Sequence, residues 1–98
     1  MDKSNESESE RLALLFKVFG DDTRVRIMIA LAQSDKCVND ISQAISVSQS
    51  AVSHQLKLLK DAKLVSSVKD GRVITYSLAD DHVRTIINMG LEHIREPG

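Results

Sequence analysis

Two histidines and two carboxylates near the C-terminus have the residue types and the spacing of a metal site. Asp80-x-His82 is followed, after ten residues, by His93-x-x-Glu96. Imidazole nitrogen mixed with carboxylate oxygen is a donor set that suits Zn(II) and Co(II). The surrounding sequence reads as one helix from about Asp80 to Glu96, stopped by Pro97-Gly98. On that helix His82 and His93 differ by only about 20° around the axis, so they share a face, but the rise per residue separates them by about 16 Å. Zinc–nitrogen bonds of about 2.0–2.1 Å do not bridge that gap. An unbroken helix therefore excludes a mononuclear site holding both histidines of one chain.

A second copy removes the obstacle. With two such helices antiparallel, the Asp80/His82 end of one meets the His93/Glu96 end of the other. Two nitrogens and two oxygens then close a tetrahedral set, and a two-fold axis makes it twice. The same helix carries Val83, Ile86, Ile87, Gly90, Leu91 and Ile94 as a continuous apolar stripe, wide enough to pack on its own domain and on a partner. The histidines lie on its rim beside Ile86 and Met89, and Gly90 lets two backbones approach. The plain alternative is an amphipathic helix whose rim histidines and end carboxylates are merely hydrated.

A second constellation lies in the middle of the chain. Residues 49–72 carry five basic and two acidic side chains, whereas the whole chain has a net charge of −1. A helix from about Gln49 to Ala62 turns Val52, Leu56 and Leu59 inward. Its outward side is Gln49, Ser50, Ser53, His54 and Lys57, with Ser48 closing the break before it, and no acid occurs between Asp40 and Asp61. Gln bonds adenine in bidentate fashion, Ser bonds either base type, and His and Lys reach guanine or phosphate. Lys69 and Arg72 stand at the tip of a following hairpin, placed to grip the DNA backbone or minor groove. The bland reading is a solvated polar face.

The elements that must position these residues follow from periodicity. A polar, acidic tail covers residues 1–9. A first helix runs from about Glu10 to Phe19, with Leu12, Leu15, Phe16 and Phe19 on one face. A second, capped by Asp21 or Asp22, runs to about Ala32, with Val25, Met28, Ile29 and Ala32 inward. A short third helix, Val38 to Ile45, faces in with Val38, Ile41, Ala44 and Ile45. Ser46-Val47-Ser48 breaks it from the fourth. Strands Val65–Lys69 and Val73–Leu78 flank Asp70-Gly71, a type I′ hairpin signal. This order predicts a mainly α chain with a β-hairpin wing (α+β), a winged helix-turn-helix; with the last helix's stripe and ligand spacing it is expected to be dimeric, residues 10–96 forming one domain for DNA binding and dimerisation. In that plan the helix after the break lies in the major groove.

Composition narrows the class. Ninety-eight residues suit one small domain, with about 65% of its surface buried on folding, a modest core that oligomerisation would help. One Cys excludes an internal disulfide and fits a reducing compartment. No apolar run reaches bilayer length and MDKSNESESE is no signal peptide, so a cytoplasmic protein without a membrane partner is expected. Neither a Ser/His/Asp arrangement nor an HExxH motif is present, and a closed four-ligand site leaves no open position, so an enzyme is not expected.

Residues 12–96 resemble the ArsR/SmtB family of small metal-responsive bacterial repressors, in particular its zinc- and cobalt-sensing, CzrA-like branch. Five segments carry the resemblance: Phe19-Gly20-Asp21, Arg24-Val25-Arg26-Ile27, Cys37-Val38-Asn39-Asp40-Ile41, Ser48-Gln49-Ser50-Ala51-Val52-Ser53-His54-Gln55-Leu56 and the Asp-x-His…His-x-x-Glu pattern. The resemblance implies a homodimer joined largely through its first and last helices. It implies that the metal-free dimer binds operator DNA ahead of metal efflux or sequestration genes. Zn(II) or Co(II) at Asp80, His82, His93 and Glu96 would release that DNA. It also implies a possible vestigial second site at Cys37 and Asp40, whose N-terminal half is missing because residues 1–19 contain neither Cys nor His. A buried, structural Cys37 is the preferred reading. The competing function is a repressor of the same fold answering to redox or another ligand through Cys37.

Overall fold

The computed structural model describes residues 7–98. In chain order the elements are α1 (Glu8–Phe19), α2 (Asp22–Gln33), β1 (Lys36–Cys37), α3 (Val38–Ile45), α4 (Gln49–Asp61), β2 (Val65–Asp70), β3 (Val73–Leu78) and α5 (Asp81–Arg95). α3, a tight turn and α4 form the helix-turn-helix, and β2–β3 form the wing.

α1 starts two residues before the expected Glu10, because Ser7-x-x-Glu10 is a capping box. Glu10 N donates to Ser7 Oγ at 3.2 Å, and Ser7 N donates to Glu10 Oε1 at 3.1 Å. These bonds from Ser7, the backbone one first, hold the Glu10 carboxyl below its ordinary pKa. Residues 7–9 thus belong to the cap and first turn; the tail expected for residues 1–6 lies outside the described residues. Asp21 caps α2, accepting from Arg24 N at 3.1 Å. The α3–α4 turn is closed by Ser46 in the left-handed region (φ 57°) and by Val47 N donating to Ser42 O at 3.2 Å.

The core is built around α2, which packs on α3, α4, α5 and β3. Ile27, Met28 and Leu31 of α2, Ile41 of α3, and Val52, Leu56 and Leu59 of α4 are fully buried. Because α2 is surrounded on several sides, a single apolar face misplaces it: Ile27, Ala30 and Leu31 are buried, while Val25, Ile29 and Ala32 are only half-buried. Ala44 of α3 is exposed. On α1 only Phe19 of the expected face is buried; Leu12 and Phe16 are each 53% exposed. Among the described residues, no helix is long and apolar enough to cross a membrane.

The sheet order is β1-β3-β2, all antiparallel. β1 is an addition to the expected elements: Lys36 and Cys37 pair with Tyr76 and Thr75, and two residues are too few to show a period. The wing turn also differs. Asp70 pairs with Val73, so the central residues are Gly71 and Arg72. Only Gly71, at φ 63°, lies in the left-handed region. Glycine alone at positive φ in the first central place is the type II′ signature rather than I′.

Candidate functional site

α4 presents the expected residues. Val52, Leu56 and Leu59 fasten one side into the core, which leaves Gln49, Ser50, Ser53, His54 and Lys57 exposed on the other. Ser48 is the N-cap, its Oγ accepting from Ala51 N at 3.2 Å, so its hydroxyl is partly committed to the helix. Lys69 and Arg72 are exposed at the wing tip, Arg72 within the turn itself. Two polar braces on this helix have no short-range signal in the sequence. Arg24 Nε of α2 donates to Gln55 Oε1 at 2.9 Å, and Gln49 Nε2 donates to Asn39 Oδ1 of α3 at 3.0 Å. Lys60 Nζ, donating to Ser67 Oγ at 2.7 Å, ties the end of α4 to the wing.

α5 is unbroken from Asp81 to Arg95, and it separates the four candidate ligands into two pairs. At its N-terminus, His82 Nδ1 lies 3.8 Å from Asp80 Oδ1; at its C-terminus, His93 Nδ1 lies 3.5 Å from Glu96 Oε1. Two donors on a tetrahedral ion with bonds of about 2.0–2.1 Å stand about 3.3 Å apart. Each pair is therefore near the bite of a shared ion. The His82 and His93 side chains are 93% and 85% exposed, which sets aside core histidines held by packing. Asp80 is also the N-cap, Oδ1 accepting from Val83 N at 3.0 Å. The structure does not bring the two pairs together. Among the described residues no group of three or more His, Cys, Asp or Glu side chains is placed to hold a metal ion.

Cys37 is a free thiol at the N-cap of α3, where its side chain makes no capping bond. It is half-buried rather than buried, because it sits where edge strand β1 passes into the helix. Asp40, one turn on, is exposed, and no third donor joins this pair among the described residues.

One surface has no cover among the described residues. Leu12 and Phe16 of α1 and Met89 and Ile94 of α5 are all more than half exposed. Phe16 and Ile94 border an apolar groove of about 280 Å³, lined also by Phe19, Ile29, Ile86 and Leu91 among others. Gly90 lies along it, and a Cβ added there would meet nothing within 4 Å.

Comparison with known proteins points one way. Residues 21–67 match the model of the family described as "Bacterial regulatory protein, arsR family". The chain is 40% identical over 89 residues to a transcriptional repressor SmtB homolog of Synechocystis sp., covering 91% of this chain and 67% of that one. It is 37% identical over 86 residues to a cadmium resistance transcriptional regulatory protein CadC homolog of Staphylococcus aureus, covering 87% and 71%. Among solved structures, the AntR antimony-specific transcriptional repressor superimposes with a TM-score of 0.80 at 34% identity, covering 96% of this chain and 87% of that one.

Proposed function

This chain belongs to the arsR family of bacterial regulatory proteins; it is a DNA-binding transcriptional regulator and not an enzyme, and we propose that it is a homodimeric repressor released from operator DNA by Zn(II) or Co(II). One observation carries the reading: two ligand pairs, Asp80/His82 and His93/Glu96, each spaced near the bite of one ion, stand at opposite ends of one continuous, largely uncovered helix. A second α5 laid antiparallel supplies each pair with its complement. The uncovered faces of α1 and α5 give that second copy an apolar seat. Gly90 supports it too: glycine inside a helix costs about 1 kcal/mol against alanine, and among the described residues nothing lies within 4 Å of where its Cβ would be.

When bound, the ion supplies a rigid four-ligand link between protomers. The rest is the work of the chain. Gln49, Ser50, Ser53 and His54 face base edges from α4; Ser48, Lys57, Lys69 and Arg72 hold the backbone. α5 packs on α2, and α2 packs on α4. Fixing the two α5 helices against each other thus favours one spacing of the two α4 helices. Release requires that this spacing fit successive major grooves poorly, so that metal binds more tightly to the DNA-free arrangement. The genes controlled are those of metal efflux or sequestration.

Fluorescence anisotropy of a labelled duplex, chosen by selection from random sequence, tests the reading. Zinc is expected to lower affinity about 5–150-fold, the usual range of allosteric coupling. No zinc effect on a duplex that binds tightly would overturn metal control. The electrostatic part has its own test. Changing Lys57, Lys69 and Arg72 to alanine weakens binding to all sequences alike, and the slope of log K against log salt falls by about 0.9 for each phosphate no longer neutralised. A slope equal to that of the unaltered protein would take these three side chains off the phosphates.

A further inference from the structure

Gln49 begins α4, and its amide is already held before any DNA arrives. Nε2 donates to Asn39 Oδ1 at 3.0 Å, although both side chains are exposed. The helix-turn-helix does not need this bond. Its turn is closed independently by Ser46 in the left-handed region, by Val47 N on Ser42 O, and by Ser42 Oγ donating to Val47 O. Nor does Asn39 cap a helix: the N-cap of α3 is Cys37. Asn39 makes no other side-chain hydrogen bond among the described residues.

A primary amide has two N–H donors and one acceptor oxygen. With one donor given to Asn39, Gln49 keeps one N–H and Oε1. That is the donor–acceptor pair which adenine matches with N7 and its N6 amino group in the major groove. In this pairing Nε2 is the atom turned to Asn39 Oδ1, so the second N–H and Oε1 are the pair left free. A side chain ordered in advance loses less freedom on binding. We infer that Asn39 is a positioning residue for sequence reading: it holds Gln49 in the orientation that selects adenine at one base pair of each half-site. The inference rests on the placement of α4 in the major groove proposed above.

The test is selection from a random duplex library by four proteins: the unaltered dimer, Gln49→Ala, Asn39→Ala and Asn39→Asp. Affinity for bulk genomic DNA and thermal unfolding are measured alongside. Gln49→Ala is expected to flatten the preference at one base pair per half-site by about tenfold, and Asn39→Ala to flatten the same base pair by about fivefold. Other positions, bulk-DNA affinity and the unfolding temperature should not move in Asn39→Ala. Asn39→Asp keeps the acceptor oxygen, so it should retain the preference while its added charge lowers affinity for every sequence. If Asn39→Ala keeps the full preference where Gln49→Ala loses it, the placement of Gln49 on a base stands and the positioning role is overturned. An equal loss at all positions would make the bond a structural stitch and overturn it too. If Gln49→Ala alters no position, Gln49 reads no base, and the inference falls with it.

Discussion

Replacing His93 with asparagine leaves metal-free DNA binding intact and removes most of the release by zinc. His93 is 85% exposed and, among the described residues, pairs only with Glu96 at 3.5 Å, so the substitution disturbs neither the core nor α4. What it removes is one nitrogen from each of the proposed shared sites. The two sites of a dimer each lose a ligand, and the differential affinity that drives release goes with it. In anisotropy titrations the zinc-dependent loss of affinity should shrink from the ordinary 5–150-fold range to about twofold or less. Asp80→Asn makes the complementary case at the other end of α5. Asparagine caps a helix as well as aspartate does, so the bond to Val83 N survives while the anionic ligand is removed. Both variants should show the same defect if each pair supplies half of one proposed site. Zinc release of His93→Asn at the level of the unaltered protein would remove this residue from the ligand set.

Phe16→Glu separates the protomers without unfolding them. Phe16 is 53% exposed and stacks only at an angle on Phe19, ring centroids 6.5 Å apart. Removing that aromatic pair costs the domain about 0.5–1.5 kcal/mol, well short of unfolding it. An aromatic anchor at an interface centre is worth more, about 2–4 kcal/mol, so the dimer should dissociate about 30- to 1,000-fold more readily. Sedimentation at micromolar concentration should give a monomer with unchanged helical content. Two further losses should follow together. Metal affinity should fall because neither ligand pair has its complement. Operator affinity should fall because two half-sites are no longer bound as a unit. A dimer of undiminished strength would place the interface elsewhere.

The sequence exposes these features unevenly, for physical reasons. α4 reads correctly because it is a surface helix with one buried face, so Val52, Leu56 and Leu59 declare its inward side. α5 is legible as one continuous helix, and the separation of its candidate ligands into two pairs follows because helical rise and rotation are fixed by geometry. α1 also shows a clean apolar face, but Leu12 and Phe16 face away from their own domain. Periodicity reports that a face needs cover and does not report what covers it. α2 fails in a different way: neighbours lie on several of its sides, so Ile27, Ala30 and Leu31 are buried while Val25 and Ile29 stand half-covered along the apolar groove. The capping box at Ser7 and Glu10 is present in the sequence, yet the acidic, Ser-rich composition around it reads as tail. The Asp70-Gly71 pair marks the hairpin but misplaces its turn by one residue, since register is decided by the strands on either side. The bonds from Arg24 to Gln55 and from Gln49 to Asn39 join different helices and leave no trace in local pattern.

Titration of the reduced protein with Co(II), followed by visible absorption, reads the shared site itself. Intense d–d bands of a tetrahedral ion are expected, saturating at two per dimer, with no thiolate charge-transfer band. Those bands should be absent in Asp80→Asn and His93→Asn. Saturation without tetrahedral bands, or no tight binding at all, would contradict a shared Asp80/His82/His93/Glu96 site. A thiolate band would move the sensing chemistry to Cys37.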